Sequence, residues 1–296
     1  MNTRFVVIIL FISSIGWGLT WMPLKWMNEA GLDGLLLVLI AFTSAGFFLI
    51  PALILQRKKW LQKKQYLLLV AIFGGLANVS FQTAIYHGDV IRVMILFYLL
   101  PVWSVLGGKL FFNEKIDLPR FLAVMAALSG AYLILGVDKS LLSDFTYLDL
   151  LAICSGLGLA LNNLVFRATP DIPVASKVSV MFLGCASMMG LYMIIGNVSV
   201  VLPESIITTS YAVFYGVIWI TLITFGTQWS VTHLEAGRSS LIIVTELLVA
   251  VVSAAIITQS SMTTIEIFGG LLVLSAAILE ASRTSGLEEF TLKKTI

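Results

Sequence analysis

Glu246 is the residue with the most chemistry to offer and the least obvious reason to be where it is. It sits near the middle of SSLIIVTELLVAVVSAAII, residues 239–257, a stretch otherwise apolar enough to cross a bilayer. An acidic residue at the centre of a membrane helix costs about 2.5–3.5 kcal/mol on insertion scales, so it is expected to face protein or water rather than lipid. Ser239, Ala250 and Ser253 share its helical face, which gives this helix one small and polar stripe, as a cavity wall requires. Such a carboxylate can exchange a proton, or stay charged and hold the ammonium group of a solute; it can equally be structural, hydrogen-bonded to a neighbouring helix.

Amides come next. Asn78 and Gln82 lie one turn apart, Asn162 and Asn163 are adjacent, and Gln228 follows Thr221 and Thr224 in a third apolar run. An amide both donates and accepts, so a set facing one space can hold both ends of a zwitterion. Any one of them is as well explained by a hydrogen bond between helices. Trp17 and Tyr98 are candidates for an apolar or cation–π wall, whereas Trp21 is placed close to an interface, as a belt residue. Pro101 lies within an apolar run, where its missing N–H and its ring are expected to kink a helix, making it a candidate hinge. The expected substrate-facing set is Trp17, Asn78, Gln82, Tyr98, Asn162, Gln228 and Glu246, with Glu246 also the expected proton or cation site.

Other chemistry lacks a signature. Cys154 and Cys185 both fall inside apolar runs and read as small buried hydrophobes, so neither a metal nor another cofactor is expected. There is no phosphate-cradling glycine loop ending in Lys-Ser/Thr, no His-Glu-x-x-His and no Gly-x-Ser-x-Gly, so the chain is not read as an enzyme or as directly ATP-driven. A net charge of +2 with the basic residues gathered in loops excludes a nucleic-acid partner.

The elements that must position these residues are membrane helices. Of 296 residues 59% are hydrophobic and 11% charged, and the mean hydropathy is +1.00, which excludes a soluble globular domain. Crossing the hydrocarbon takes about 20 apolar residues. Such runs occur at 5–27, 34–55, 66–87, 90–112, 117–137, 147–169, 175–196, 211–233, 237–258 and 264–282. The first has no clear small-x-small cleavage site and is read as a retained span. QRKKWLQKKQ, between the second and third runs, carries Arg57, Lys58, Lys59, Lys63 and Lys64 and is therefore expected to be cytoplasmic. Counting spans from it puts both termini inside, together with Arg120, Arg167, Lys177, Arg238 and Arg283, and leaves Arg92 and Lys139 outside.

Laying residues 97–134 over 242–279 aligns the breaks between runs without a gap; Pro101 then meets Glu246 and Gly130 meets Ser275. Five spans per unit is odd, so the second unit must enter the membrane upside down, the inverted repeat on which many alternating-access carriers are built. The expected fold is all-α and integral to the membrane: ten transmembrane helices as two inverted five-helix repeats, 1–140 and 141–285, around a central cavity, with a cytoplasmic tail at 286–296.

SSIGWGLTWMPLKW in the first run, and AIYHGDVIRVMILFYLLPVWSVLGGKLFFNEKIDLPRFLAVMAALSGAYLILG across the third to fifth, resemble the drug/metabolite transporter superfamily and its EamA-type members. The shared pattern is Trp17 with Gly18, Pro101, Glu114 and Gly130. In the second half Glu246 stands where that family usually has proline, and Gln259 where it usually has glutamate. The resemblance implies a ten-helix inner-membrane carrier whose cavity is lined mainly by helices one, three, four, six, eight and nine, often exporting amino acids or related metabolites.

Together these readings lead to an expected secondary transporter of a small polar organic metabolite, an amino acid or related amine. It would be proton-coupled, exporting rather than importing, and embedded in the bacterial plasma membrane, with a homodimer left open. The alternatives are a carrier of bulkier organic cations, in which Glu246 and the tryptophans form a cage, and a membrane subunit that scaffolds a partner without transporting.

Overall fold

The computed structural model describes residues 3–32, 34–136, 144–198 and 206–283. Among the described residues there are helices and no strand, and ten helical stretches are long and apolar enough to cross a membrane. The tail at 286–296, the expected boundary at 140/141 and Lys139 lie outside the described residues.

Five spans are single helices: α3 (Gly34–Leu55), α8 (Leu118–Leu135), α9 (Tyr147–Ala168), α10 (Val174–Ile195) and α15 (Thr264–Ala281). The third consists of a short basic helix, α4 (Arg57–Trp60), followed by α5 (Lys64–His87). The first is divided into α1 (Thr3–Gly18) and α2 (Trp21–Glu29), the fourth into α6 (Val90–Phe97) and α7 (Leu100–Phe112), and the ninth into α13 (Ala236–Ile243) and α14 (Thr245–Thr258). The eighth runs from α11 (Ile206–Phe214) through a π-helical segment, Tyr215–Ile220, into α12 (Thr221–His233).

The divisions correct one expectation. Pro101 does not kink a helix from within; it is the second residue of α7. The first N–H groups of a helix have no intrahelical acceptor, so proline is tolerated there without loss. The break itself is at Tyr98 and Leu99. In the overlay of the two halves Leu99 falls on Val244, where span nine breaks as well, although no proline follows.

Local chemistry fixes the ends. Thr146 with Asp149, and Thr263 with Glu266, form reciprocal capping boxes at the starts of α9 and α15. Asp89 and Asp117 accept the backbone N–H groups of Arg92 and Arg120 at the starts of α6 and α8. Spans four and nine end alike, on left-handed residues Asn113 and Gln259, each at φ 54°.

Packing joins the first five spans to the last five. α3 lies along α10, α8 along α15, and α7 against α13. α5 packs on α9 as α1 does on α12; α6 and α7 pack on α9 as α1 does on α13 and α14; and α10 packs on α5 as the π segment does on α3. Exchanging spans one to five for six to ten maps this set of contacts onto itself. Backbones approach closely and reciprocally where α8 meets α15: a Cβ at Gly130 would sit 2.6 Å from the Gly269 carbonyl oxygen, and one at Gly269 2.8 Å from that of Gly130. The largest apolar core gathers Leu10, Leu100, Phe166, Phe182 and Ile223 from helices of both halves.

Candidate functional site

The paired breaks deliver the carboxylate. Glu246 is the second residue of α14, so its acid lies in a first helical turn, where unpaired N–H groups and the helix dipole favour negative charge. Tyr98 sits in the break between α6 and α7, buried to 2% exposure. Its hydroxyl donates to Glu246 Oε1 at 3.2 Å, and Phe97 packs edge-on against its ring at 5.3 Å.

Span one closes this site from a third side. A Cβ at Gly18 would lie 2.5 Å from the carbonyl oxygen of Glu246 and 2.7 Å from Val249 Cβ, so only glycine lets α1 sit this close. The preceding residue, Trp17, donates its indole N–H to Thr227 Oγ1 at 3.1 Å. Trp21, expected in an interfacial belt, is half-buried and donates its indole N–H to Ser253 Oγ at 2.9 Å, on the stripe that carries Glu246. Both tryptophan partners, Thr227 and Ser253, are more than two hundred positions away.

The amides form a second cluster. Asn163 Oδ1 accepts from Gln228 Nε2 at 3.2 Å and from Asn162 Nδ2 at 3.4 Å, tying α9 to α12. Asn162 is fully buried, and Gln228 is 3% exposed. Their carbonyl oxygens, Asn162 Oδ1 and Gln228 Oε1, have no hydrogen-bond partner in the protein, and neither do Asn78 Oδ1 and Thr224 Oγ1. Buried polar atoms are nearly always partnered, so acceptors left over in one region mark a place where donors from another molecule fit. Asn78 and the half-buried Gln82 are on α5, which packs along α9. Trp17, bonded to the neighbour of Gln228, and Gly18, against Glu246, connect the two clusters through adjacent residues of one helix.

A third group consists of charges at the basic face, defined by the α4 loop. Arg120, 1% exposed, pairs with the fully buried Glu280 through Nε–Oε1 at 3.2 Å and Nη2–Oε2 at 3.3 Å, and also contacts Glu235. Glu114 accepts the backbone N–H of Ala236 at 3.0 Å, pairs with Arg167 Nε at 2.9 Å and lies 3.7 Å from Arg120 Nη1. Arg283 grips Asp117 at 2.5 and 2.7 Å, and this hydrogen bonding holds the Asp117 carboxyl down at about 2. Hydrogen bonding from Lys63 likewise lowers that of Asp171. Glu114 occupies a loop, but its side chain is buried as a hub rather than solvated. Lys177, also fully buried, donates to the carbonyl oxygens of Phe166 and Thr169 at 2.8 and 2.9 Å, capping the end of α9.

Sequence reasoning missed Thr227 as a partner, the bond from Trp21 to Ser253 and the whole charge network. The signal for the last was available: Glu114, Asp117, Glu235 and Glu280 recur at the ends of the same runs as the basic residues, which were counted for orientation alone.

Residues 4–136 match the EamA-like transporter family. No curated protein matches. Twenty-eight chains of solved structure do; one, titled "Crystal structure of protein", is 16% identical, covers 94% of this chain and 98% of its own, and superposes with a TM-score of 0.72. At that identity the likeness establishes the fold. The match over residues 4–136 is consistent with the drug/metabolite transporter superfamily. Ten helices apolar enough to span a bilayer mark a multi-pass membrane protein, and the match over its first half is to a family of membrane transporters, which implies a small-molecule substrate.

Proposed function

We propose that the protein is a secondary active transporter of an amino acid or related amine, coupled to protons and working outward across a bacterial inner membrane with both termini cytoplasmic. Units 1–140 and 141–285 rock against each other, with Pro101 and the break before it serving as a hinge. The observation that carries the reading is the hydrogen bond from Tyr98 to Glu246 Oε1, made where spans four and nine are both broken. A carboxylate held between two halves by one hydroxyl can take up a proton in one arrangement and release it in another. The unpartnered oxygens of Asn78, Asn162 and Gln228 supply acceptors for the N–H groups of an ammonium. Trp17 and Gln82 complete the substrate-facing set.

A cage for bulky cations fits less well, because the Trp17 indole is committed to Thr227 and Tyr98 is buried against Phe97. The test is flux of radiolabelled amino acids and amines in proteoliposomes with and without a pH gradient. The gradient is expected to drive accumulation in the parent and not in Glu246→Gln. Flux that ignores the gradient and is unchanged in the variant removes Glu246 from the mechanism.

A further inference from the structure

The charge network at the basic face does no work in the proposal above, yet its contacts cross from one five-span unit to the other. Glu114, Asp117 and Arg120 come from the end of span four and the start of span five; Arg167, Glu235, Ala236, Glu280 and Arg283 come from spans six, eight, nine and ten. At the opposite face the ion pair joining the halves, among the described residues, is that of Arg92 with Asp149 at 2.5 Å. We infer that the network is a latch: it seals the basic face in the conformation seen here, and its parting admits water and substrate to the space around Glu246 from that face.

Burial explains why charges are used. Glu280 is fully buried and Arg120 nearly so, so in the closed state both lose hydration, offset by their pairing with each other and with Glu235 and Arg283, a balance that runs close to neutral against an apolar contact. An apolar seal exposes hydrophobic surface when it opens and so resists opening. Parted charges instead regain their hydration, which keeps open and closed states near in free energy, as a carrier that cycles between them needs. Geometry gives the latch two arms meeting at the α12–α13 connection. Arg120 reaches Glu235 and Glu280; Glu114 holds Arg167 and the N–H of Ala236. The connection leads straight into α13 and, through the break at Val244, to Glu246.

The inference rests on the alternating-access reading, and its test needs no substrate. Reporter cysteines are placed on the Glu246 stripe to either side of it, Ser239→Cys toward the basic face and Ala250→Cys toward the other, in a full-length background carrying Cys154→Ala and Cys185→Ala. Maleimide labelling rates are measured on the purified protein in detergent. Glu280→Gln and, separately, Arg167→Gln are expected to raise labelling at the Ser239 position at least fivefold and to lower it at Ala250; Glu280→Asp should bring both back toward the parent.

Unchanged rates at both reporters in both variants overturn the latch. A rise at both reporters together overturns it too, since that marks a loosened fold. If Glu280→Gln does not accumulate as folded protein, Arg167→Gln, at the rim of the network, decides alone. Reciprocal labelling in a protein that moves no amine leaves the latch standing and overturns the transport assignment. Amine flux with unaltered labelling does the reverse.

Discussion

Trp17 in the first span donates its indole N–H to Thr227 Oγ1 in the eighth, 3.1 Å away, and this bond places the next residue, Gly18, against the backbone of Glu246. Thr227 in turn donates to the carbonyl of Ile223 at 2.9 Å, so its hydroxyl is held in position to accept. The Trp-Gly pair thus has a division of labour. The large residue anchors span one to span eight, and the small one lets it touch span nine.

Gly18→Ala should therefore damage the protein far more than a generic surface glycine change. Its new methyl would meet the Glu246 carbonyl at 2.5 Å and Val249 at 2.7 Å, a backbone contact that cannot swing away. Overpacking of this kind costs about 1–3 kcal/mol. Gly34→Ala, which meets nothing within 4 Å, is the control and should melt as the parent does. Equal thermal stability of the two variants would contradict the close approach.

The Trp17–Thr227 bond should show as coupling. Trp17→Phe and Thr227→Val each remove one partner, and a double-mutant cycle on unfolding free energy should yield an interaction of about 0.5–1.5 kcal/mol. Strict additivity would mean that the bond contributes nothing.

Tyr98→Phe removes the hydroxyl that faces Glu246 while keeping the ring that packs beside Ala131, Val244 and Val273. The maximal transport rate should fall about tenfold, the loss expected of a hydrogen bond to a charged group, with melting little changed. Glu246→Gln should be at least as severe, and the double variant no worse than Glu246→Gln alone. Additive losses would show that the two residues act separately.

Acid should weaken the basic face in a definable window. The Asp117 carboxyl lies at about 2 in the fold against an ordinary value of about 3.9. A depressed carboxyl stabilises the fold at pH values above its unfolded value, and that contribution is lost as pH falls through about 4 toward 2. The Asp117 side chain is 42% exposed, so screening limits the contribution to about 1 kcal/mol or less. Asp117→Asn should flatten the decline in melting temperature between pH 5 and pH 2.5, by amounts on that scale, and 1 M salt should shrink the difference. An identical acid profile in the variant would show that Asp117 is unpaired in solution.

What the sequence could convey follows from which interactions are local. The ten spans are legible because each needs its own run of apolar residues, and the observed helices begin and end within a few residues of most of those runs. The third and eighth start earlier, at Arg57 and Ile206, because helix continues into their polar flanks. The breaks were harder. Val244 has neither glycine nor proline beside it, and only its overlay on Leu99 connects it to a break that a proline, Pro101, follows. Trp21 resembled a belt residue because its partner, Ser253, is remote in the chain. Asn162 and Gln228 were recognisable as polar residues in apolar runs, but their meeting through Asn163 depends on how α9 and α12 pack.

Lys177 provides the strictest check on how this protein tolerates charge within a span. It is fully buried, and its ammonium is held by the carbonyls of Phe166 and Thr169, with the Phe166 ring 4.7 Å from Nζ. These carbonyls belong to the last turn of α9 and to its C-cap residue, where a helix has no N–H groups left to satisfy them and where the dipole favours a cation. Lys177→Met keeps the stem and removes the donors, leaving two buried acceptors unpaired, each costing about 1–3 kcal/mol. Lys177→Gln retains two N–H donors without the charge and should recover part of that loss. The expected order of melting temperatures is parent, then Gln, then Met. Were Met to equal or exceed Lys, the contribution of the site would be apolar packing against Phe166 rather than capping of the helix end.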